Sequence, residues 1–160
     1  MRKTRGFSLI ELLIVVAFIL TLAALAVPNL MRSKISAAEA SAVHSLRTIN
    51  TAQVTYAVAY PGIGYADNLT KLKFPAPGQP VSANAAGLID WVLGCDNQPC
   101  LKSGYQFAVV NATGSPVLGY EVTGVPQVVG QTGRRGFCSN QVPKVTYDPN
   151  GGTNCTERLQ

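Results

Sequence analysis

Residues 6–31 read GFSLIELLIVVAFILTLAALAVPNLM, and this stretch decides the fold of the 160-residue chain. The run from Phe7 to Val27 has 21 residues, or about 31 Å of helix, which matches the hydrocarbon core of a bilayer at about 30 Å. Its only charged side chain is Glu11. Three basic residues precede the run, namely Arg2, Lys3 and Arg5. By the positive-inside rule they predict that residues 1–6 stay in the cytoplasm and that the body lies outside.

Glu11 separates this segment from an ordinary export signal. A secretory signal peptide with a cleavage site at Ala24-Leu25-Ala26 and a plain signal anchor both fit the apolar run. A carboxylate within such a run costs up to about 3 kcal/mol, less near the interface. Neither interpretation gives Glu11 a role, so both are disfavoured.

The helical pattern continues beyond Pro28. Side chains that recur every three or four residues form one stripe, broken only by Gln53: Ile35, Ala38, Ala42, Leu46, Ile49, Gln53, Tyr56 and Tyr60. The opposite face carries Arg32, Lys34, Ser41, Ser45, Arg47 and Thr48. We predict one helix from Phe7 to about Ala59, near 80 Å long and bent or locally opened at Pro28. Residues 7–30 form its hydrophobic transmembrane segment, and residues 31–59 form its amphipathic segment.

The rest of the chain, residues 60–160, is predicted to be a loop-rich α+β head. Residues 61–160 hold fourteen of the 15 glycines and nine of the 10 prolines. We expect a short turn at Asp67–Leu72 and a short helix at Ala85–Leu93. Extended runs are Tyr105–Val110, Val117–Thr123 and Val142–Tyr147, with Arg135–Cys138 as a candidate fourth. Short connections favour a small antiparallel sheet that covers the helix stripe.

The N-terminal stretch Arg5-Gly6-Phe7-Ser8-Leu9-Ile10-Glu11 resembles the processing site of type IV pilins and the related pseudopilins. The resemblance covers the short basic leader, Gly6 before Phe7, Glu11 as the fifth residue after the cut, and Pro28. It implies that a prepilin peptidase cleaves between Gly6 and Phe7 and methylates the Phe7 amine. It also implies a pilin fold, a long helix packed on a small antiparallel sheet.

The resemblance further implies a function and partners. The expected protein is a non-enzymatic filament subunit, closest to a major pilin with a short leader. It inserts in the bacterial inner membrane, passes to an assembly platform there, and polymerises into a surface pilus. A buried pair between Glu11 and the Phe7 amine of a neighbouring subunit is better suited to setting register than to supplying stability. A type II secretion pseudopilin, a minor pilin and a single-pass anchored binding module are the alternatives.

Four cysteines, Cys95, Cys100, Cys138 and Cys155, fit an exported, oxidising environment and allow three pairings. Resemblance to the C-terminal disulfide loop of many pilins favours Cys138 with Cys155, and hence Cys95 with Cys100. A zinc site is disfavoured because the spacing is unlike the usual pairs of closely spaced cysteines.

The remaining sequence indicates no cofactor or metal and no nucleic-acid partner for the isolated subunit. Residues 32–160 carry ten basic and seven acidic side chains without a dense basic stripe. The segment 148–154, which begins with Asp148, is rich in oxygen ligands, but a tight turn is preferred over a calcium site. We interpret His44 as solvated or inter-subunit, and Trp91 as a core residue rather than a ligand platform.

Overall fold

Helix α1 spans Leu9–Ala59 in the computed structural model, which describes residues 7–159. The long helix predicted from Phe7 to about Ala59 is therefore confirmed, with its first turn starting two residues later. The helix continues through Pro28, which lacks the N–H that would bond one turn back. It ends where Tyr60 leads into Pro61 and Gly62.

The chain divides into two compact units, residues 1–34 and residues 35–160. In the first unit, every described side chain is exposed. The helix in this unit is long and apolar enough to cross a membrane. We call its described residues, 7–34, the apolar half, and residues 35–160 the head unit.

The head unit contains a six-stranded antiparallel sheet in which the strands lie in chain order. The strands are β1 (Cys100–Lys102), β2 (Tyr105–Thr113), β3 (Gly119–Pro126), β4 (Gly136–Asn140), β5 (Thr146–Asp148) and β6 (Glu157–Arg158). The predicted meander is confirmed, and β2, β3 and β4 overlap their predicted runs. The run predicted at Val142–Tyr147 is extended only from Thr146 onward, and neither edge strand, β1 or β6, was predicted.

The core of the head unit lies between α1 and the sheet. Six members of the predicted stripe are buried: Ile35, Ala42, Leu46, Ile49, Gln53 and Tyr56. Ser45, predicted on the opposite face, is buried as well. Gly124 on β3 allows close packing, because an added Cβ would lie 2.9 Å from the Phe107 ring and 3.8 Å from Leu46. The α+β, pilin-like arrangement expected from the sequence is thus present.

The short helix predicted at Ala85–Leu93 is wrong. The predicted turn at Asp67–Leu72 does form, as the 3₁₀ helix Leu69–Leu72. The backbone of residues 85–93 pairs with this 3₁₀ helix instead of forming a helix of its own. The N–H groups of Leu88 and Ile89 both donate to the Leu72 carbonyl, at 2.8 and 3.0 Å. Gly87 has φ +69°, a left-handed conformation that a helix does not allow. Tertiary pairing therefore overrides the helical spacing of the apolar residues.

Candidate assembly helix and its anchorage on the head unit

The N-terminal site residues lie at the start of α1. Phe7 precedes the first turn and is 73% exposed, and Glu11 is the acidic residue of that turn. A carboxylate there is favoured by the partial positive charge of the helix N-terminus. Among residues 7–159, Glu11 makes no salt bridge within its own chain. Gly6, the predicted cleavage residue, lies outside the described residues.

The apolar half presents its side chains to the surroundings on all sides. Its large hydrophobic residues from Phe7 to Met31 are between 46% and 81% exposed. Burial of apolar surface contributes roughly 25 cal/mol per Å², so this surface strongly favours a lipid or protein cover. Pro28 lies within this exposed helix, which continues on both sides of it.

Gln53, which interrupts the apolar stripe, holds α1 to the loop that follows it. Its side chain is fully buried. Its Nε2 donates to the Ala66 carbonyl and its Oε1 accepts from the Ala66 N–H, both at 2.8 Å. The side-chain amide thus satisfies both main-chain groups of a buried residue, as a neighbouring strand would.

Asn50 makes the second polar anchor, to the sheet. Its Nδ2 donates to Ser139 Oγ on β4 at 2.6 Å, and its Oδ1 accepts from the Tyr120 hydroxyl on β3 at 3.1 Å. All three side chains are buried. Burial raises the pKa of Tyr120 to about 12, so its hydroxyl remains a donor throughout the physiological range. The network fixes the rotation over the sheet of the part of α1 that belongs to the head unit, because other rotations would leave buried polar groups unpaired.

Glu39 makes the third anchor, to the loop between β3 and β4. Its Oε1 accepts from the N–H groups of Arg134 and Arg135, at 2.9 and 3.1 Å. Its Oε2 accepts from Nε and Nη2 of Arg135, at 2.9 and 2.7 Å. Burial alone raises the pKa of Glu39, but these hydrogen bonds and the guanidinium charge outweigh it and hold the pKa below its usual value.

The same loop is fixed from the sheet side by Tyr105. The Tyr105 hydroxyl donates to the Arg135 carbonyl at 2.9 Å. This contact requires glycine at position 133, because a Cβ there would lie 2.0 Å from the Tyr105 oxygen. Burial raises the pKa of Tyr105, and the charge of Glu39 adds to that effect.

Two disulfides close the loops of the head unit. Cys95 bonds Cys100 and Cys138 bonds Cys155, with Cα–Cα distances of 5.5 and 5.9 Å. This is the pairing that the pilin resemblance implies. By loop entropy, each bridge adds roughly 2–3 kcal/mol.

The oxygen-rich segment beginning at Asp148 forms a hydrogen-bonded turn. Asp148 Oδ1 accepts from the Asn150 N–H at 2.9 Å, and Oδ2 accepts from the Asn154 N–H at 3.1 Å. These two main-chain hydrogen bonds hold the tight turn that the sequence predicts for this segment. In the described part of the chain, no three His, Cys, Asp or Glu residues come together as a metal site. His44 is exposed on α1, with Nδ1 3.3 Å from Thr48 Oγ1.

Sequence reasoning missed the three polar anchors. Gln53 was noted only as a gap in the stripe, while Glu39 and Asn50 were not singled out. A polar residue at a core position is the available signal, because it is retained only where partners satisfy it. The partners themselves lie 13 to 96 residues away and cannot be read from local spacing.

Two comparisons with known proteins gave a match. The family described as "Prokaryotic N-terminal methylation motif" matches residues 1–27. The type IV major pilin protein PilA of Myxococcus xanthus (strain DK1622) is 43% identical to the chain over 54 residues. Those residues are 34% of this chain and only 24% of that protein. No solved structure gives a significant match. This motif, this similarity and the helix-on-sheet fold together support a type IV pilin-like protein.

Proposed function

We propose that the chain is a structural subunit of a type IV pilus-like filament. The observation that carries the proposal is the exposed apolar half, which bears one carboxylate, Glu11, in its first turn. A membrane covers this surface in the precursor, and the helices of neighbouring subunits cover it in the filament. An anchored binding module would explain the apolar segment but would give Glu11 no role.

Processing prepares the helix for this change of surroundings. A prepilin peptidase cleaves between Gly6 and Phe7, which removes three basic residues, and methylates the new Phe7 amine. The removal of charges that hold the leader in the cytoplasm frees the N-terminus to leave the inner membrane. An inner-membrane platform then adds the subunit to the base of the filament.

In the filament, the Glu11 carboxylate pairs with the Phe7 amine of a neighbouring subunit. Both charges lie among apolar side chains, so each is costly unless it meets the other. The pair therefore selects the axial register, and packing of the apolar halves holds the subunits together. Similarity to a protein named as a major pilin favours that role over a minor pilin or a pseudopilin.

Replacement of Glu11 tests this function. Glu11→Ala leaves the Phe7 amine unpaired in the apolar bundle, at about 3–5 kcal/mol per contact, and should reduce the yield of sheared filaments strongly. Glu11→Gln should act similarly because the amide keeps the size and loses the charge. Membrane insertion should be retained, since loss of a charge makes insertion easier.

The measurement compares sheared surface protein with the membrane pool for wild type, both Glu11 variants and Glu121→Ala. Glu121 lies in the head unit and, among residues 7–159, its side chain accepts a hydrogen bond only from Asn111 Nδ2, at 2.9 Å, so its variant should assemble normally. Abundant filaments built from Glu11→Ala alone would show that the ion pair does not control assembly.

A further inference from the structure

Trp91, the only tryptophan of the sequence, lies at the surface of the head unit. Its side chain is 50% exposed, so its prediction as a core residue is wrong. Lys73 Nζ lies over the ring, 5.5 Å from the centroid, and the Lys73 side chain is only 15% exposed. One face of the indole therefore lies over the lysine ammonium, while half of the surface of Trp91 stays open to solvent.

The turn that carries Trp91 is tightly held. Asp90 Oδ1 accepts from the N–H groups of Val92 and Leu93, at 3.0 and 2.7 Å, and Oδ2 accepts from Lys102 Nζ at 2.9 Å. Leu93 is buried in the core. The turn thus holds the indole in place before a ligand binds, which lowers the entropic cost of binding.

The rim around the indole offers donors and acceptors with no net charge. Lys73 is paired with Asp96, and Lys102 is paired with Asp90. The Asp96 side chain is 80% exposed and that of Asp90 is 51% exposed. Within residues 7–159, Asp96 uses only Oδ1 for its lysine, and Oδ2 has no hydrogen-bond partner.

We propose that this surface binds a neutral carbohydrate. The C–H face of one sugar ring stacks on the exposed face of Trp91, and a ring hydroxyl donates to Asp96 Oδ2. An anionic ligand would meet two exposed carboxylates, and a cationic ligand would find both carboxylates already paired with lysines. A neutral ligand with many hydroxyls can hydrogen-bond to these ion pairs without bringing an unpaired charge to them.

The proposed site is built from residues of the head unit alone. Lys102, which holds the turn, belongs to β1 at one edge of the sheet, whereas β6 forms the opposite edge. The site uses no residue of the apolar half. Carbohydrate binding is therefore independent of the proposed filament function, and either can fail without the other.

Because Trp91 is the only tryptophan, its fluorescence reports directly on the site. The full chain is purified in a detergent without a sugar headgroup and titrated with neutral hexasaccharides of glucose, galactose, mannose and N-acetylglucosamine. We expect at least one to change the emission saturably and to protect the indole from acrylamide quenching. Oligogalacturonate, which carries carboxylates, should bind at least about tenfold more weakly.

Variants assign the binding to the site. Trp91→Ala should lower the association constant for the bound hexasaccharide at least about tenfold by calorimetry, and Asp96→Asn by about three- to fivefold. Phe74→Ala removes another exposed aromatic side chain and should leave binding unchanged. Circular dichroism checks that each variant is folded, and the wild-type fluorescence titration stands independently of Trp91→Ala.

The proposal is overturned if none of the neutral hexasaccharides changes the wild-type emission. It is also overturned if Phe74→Ala and Trp91→Ala weaken binding equally. Protection of Trp91 that depends on protein concentration, without sugar, would assign the surface to a contact between copies of the chain and would contradict the carbohydrate site.

Discussion

The stability of the head unit depends on pH through the ionisation of Glu39. The free energy of a buried carboxylate depends on its partners, and here two main-chain N–H groups and one guanidinium face it. Because these partners lower the pKa of Glu39 in the folded protein, folding favours the charged form. Its contribution to stability is complete above the ordinary carboxyl pKa of 4.5, and it is lost as the pH falls through the lower folded-state pKa.

Glu39→Gln should therefore destabilise the head unit by about 2 kcal/mol near neutral pH. The lower end of the range for charged hydrogen bonds applies because the Arg135 side chain is 40% exposed. Urea unfolding of both proteins, followed by circular dichroism from about pH 7 to about pH 3, should show the difference shrinking below pH 4.5.

Glu121→Gln serves as the matched control for this series. The same chemical change is made at a carboxylate that faces a neutral side-chain amide, so it should alter stability by less than about 0.5 kcal/mol. A difference between wild type and Glu39→Gln that is constant with pH would contradict the role assigned to the Glu39 charge.

Among the elements, α1 shows both the strength and the limit of periodicity. The stripe from Ile35 to Tyr56 follows the helical period, and the structure buries it against the sheet. The same reasoning failed at residues 85–93, where helically spaced apolar residues lie in a segment paired with residues near Leu72. The spacing of apolar residues predicts which residues are buried. The conformation of a short segment depends on distant backbone partners.

Gln53→Leu tests how α1 is anchored. Leucine would complete the apolar stripe, yet it would leave the buried N–H and carbonyl of Ala66 without partners. We expect a loss of about 2–4 kcal/mol in the free energy of unfolding, measured by urea denaturation. Val54→Leu, on the exposed neighbouring position, should change stability by less than about 0.5 kcal/mol. A neutral or stabilising Gln53→Leu would mean that the stripe needs only apolar volume.

Hydrophobic runs and flanking turn residues were sufficient to predict the longer strands of the sheet. β2 and β3 have nine and eight residues and were predicted near their observed bounds. β1 and β6 have three and two residues, and β6 consists of Glu157 and Arg158. Edge strands this short carry no periodic signal, because the register of the adjacent strand determines them.

At the scale of the whole molecule, the sequence predicts two surfaces with different chemistry. The apolar half is exposed along its described length, while the head unit has a closed core and two disulfides. The composition already distinguishes these parts, because glycine and proline are concentrated after residue 60. The exposed Trp91 could not be predicted, since a lone tryptophan in an apolar cluster is typical of a core.

The central claim is that the chain is processed at Gly6 and assembled through the helix that begins after it. Intact mass spectrometry of reduced protein from sheared surface material tests this most directly. We predict a protein that begins at Phe7 and weighs about 14 Da more than the residues from Phe7 onward, because one methyl group is added. A protein that begins at Val27, or one that retains residues 1–6, would contradict the account.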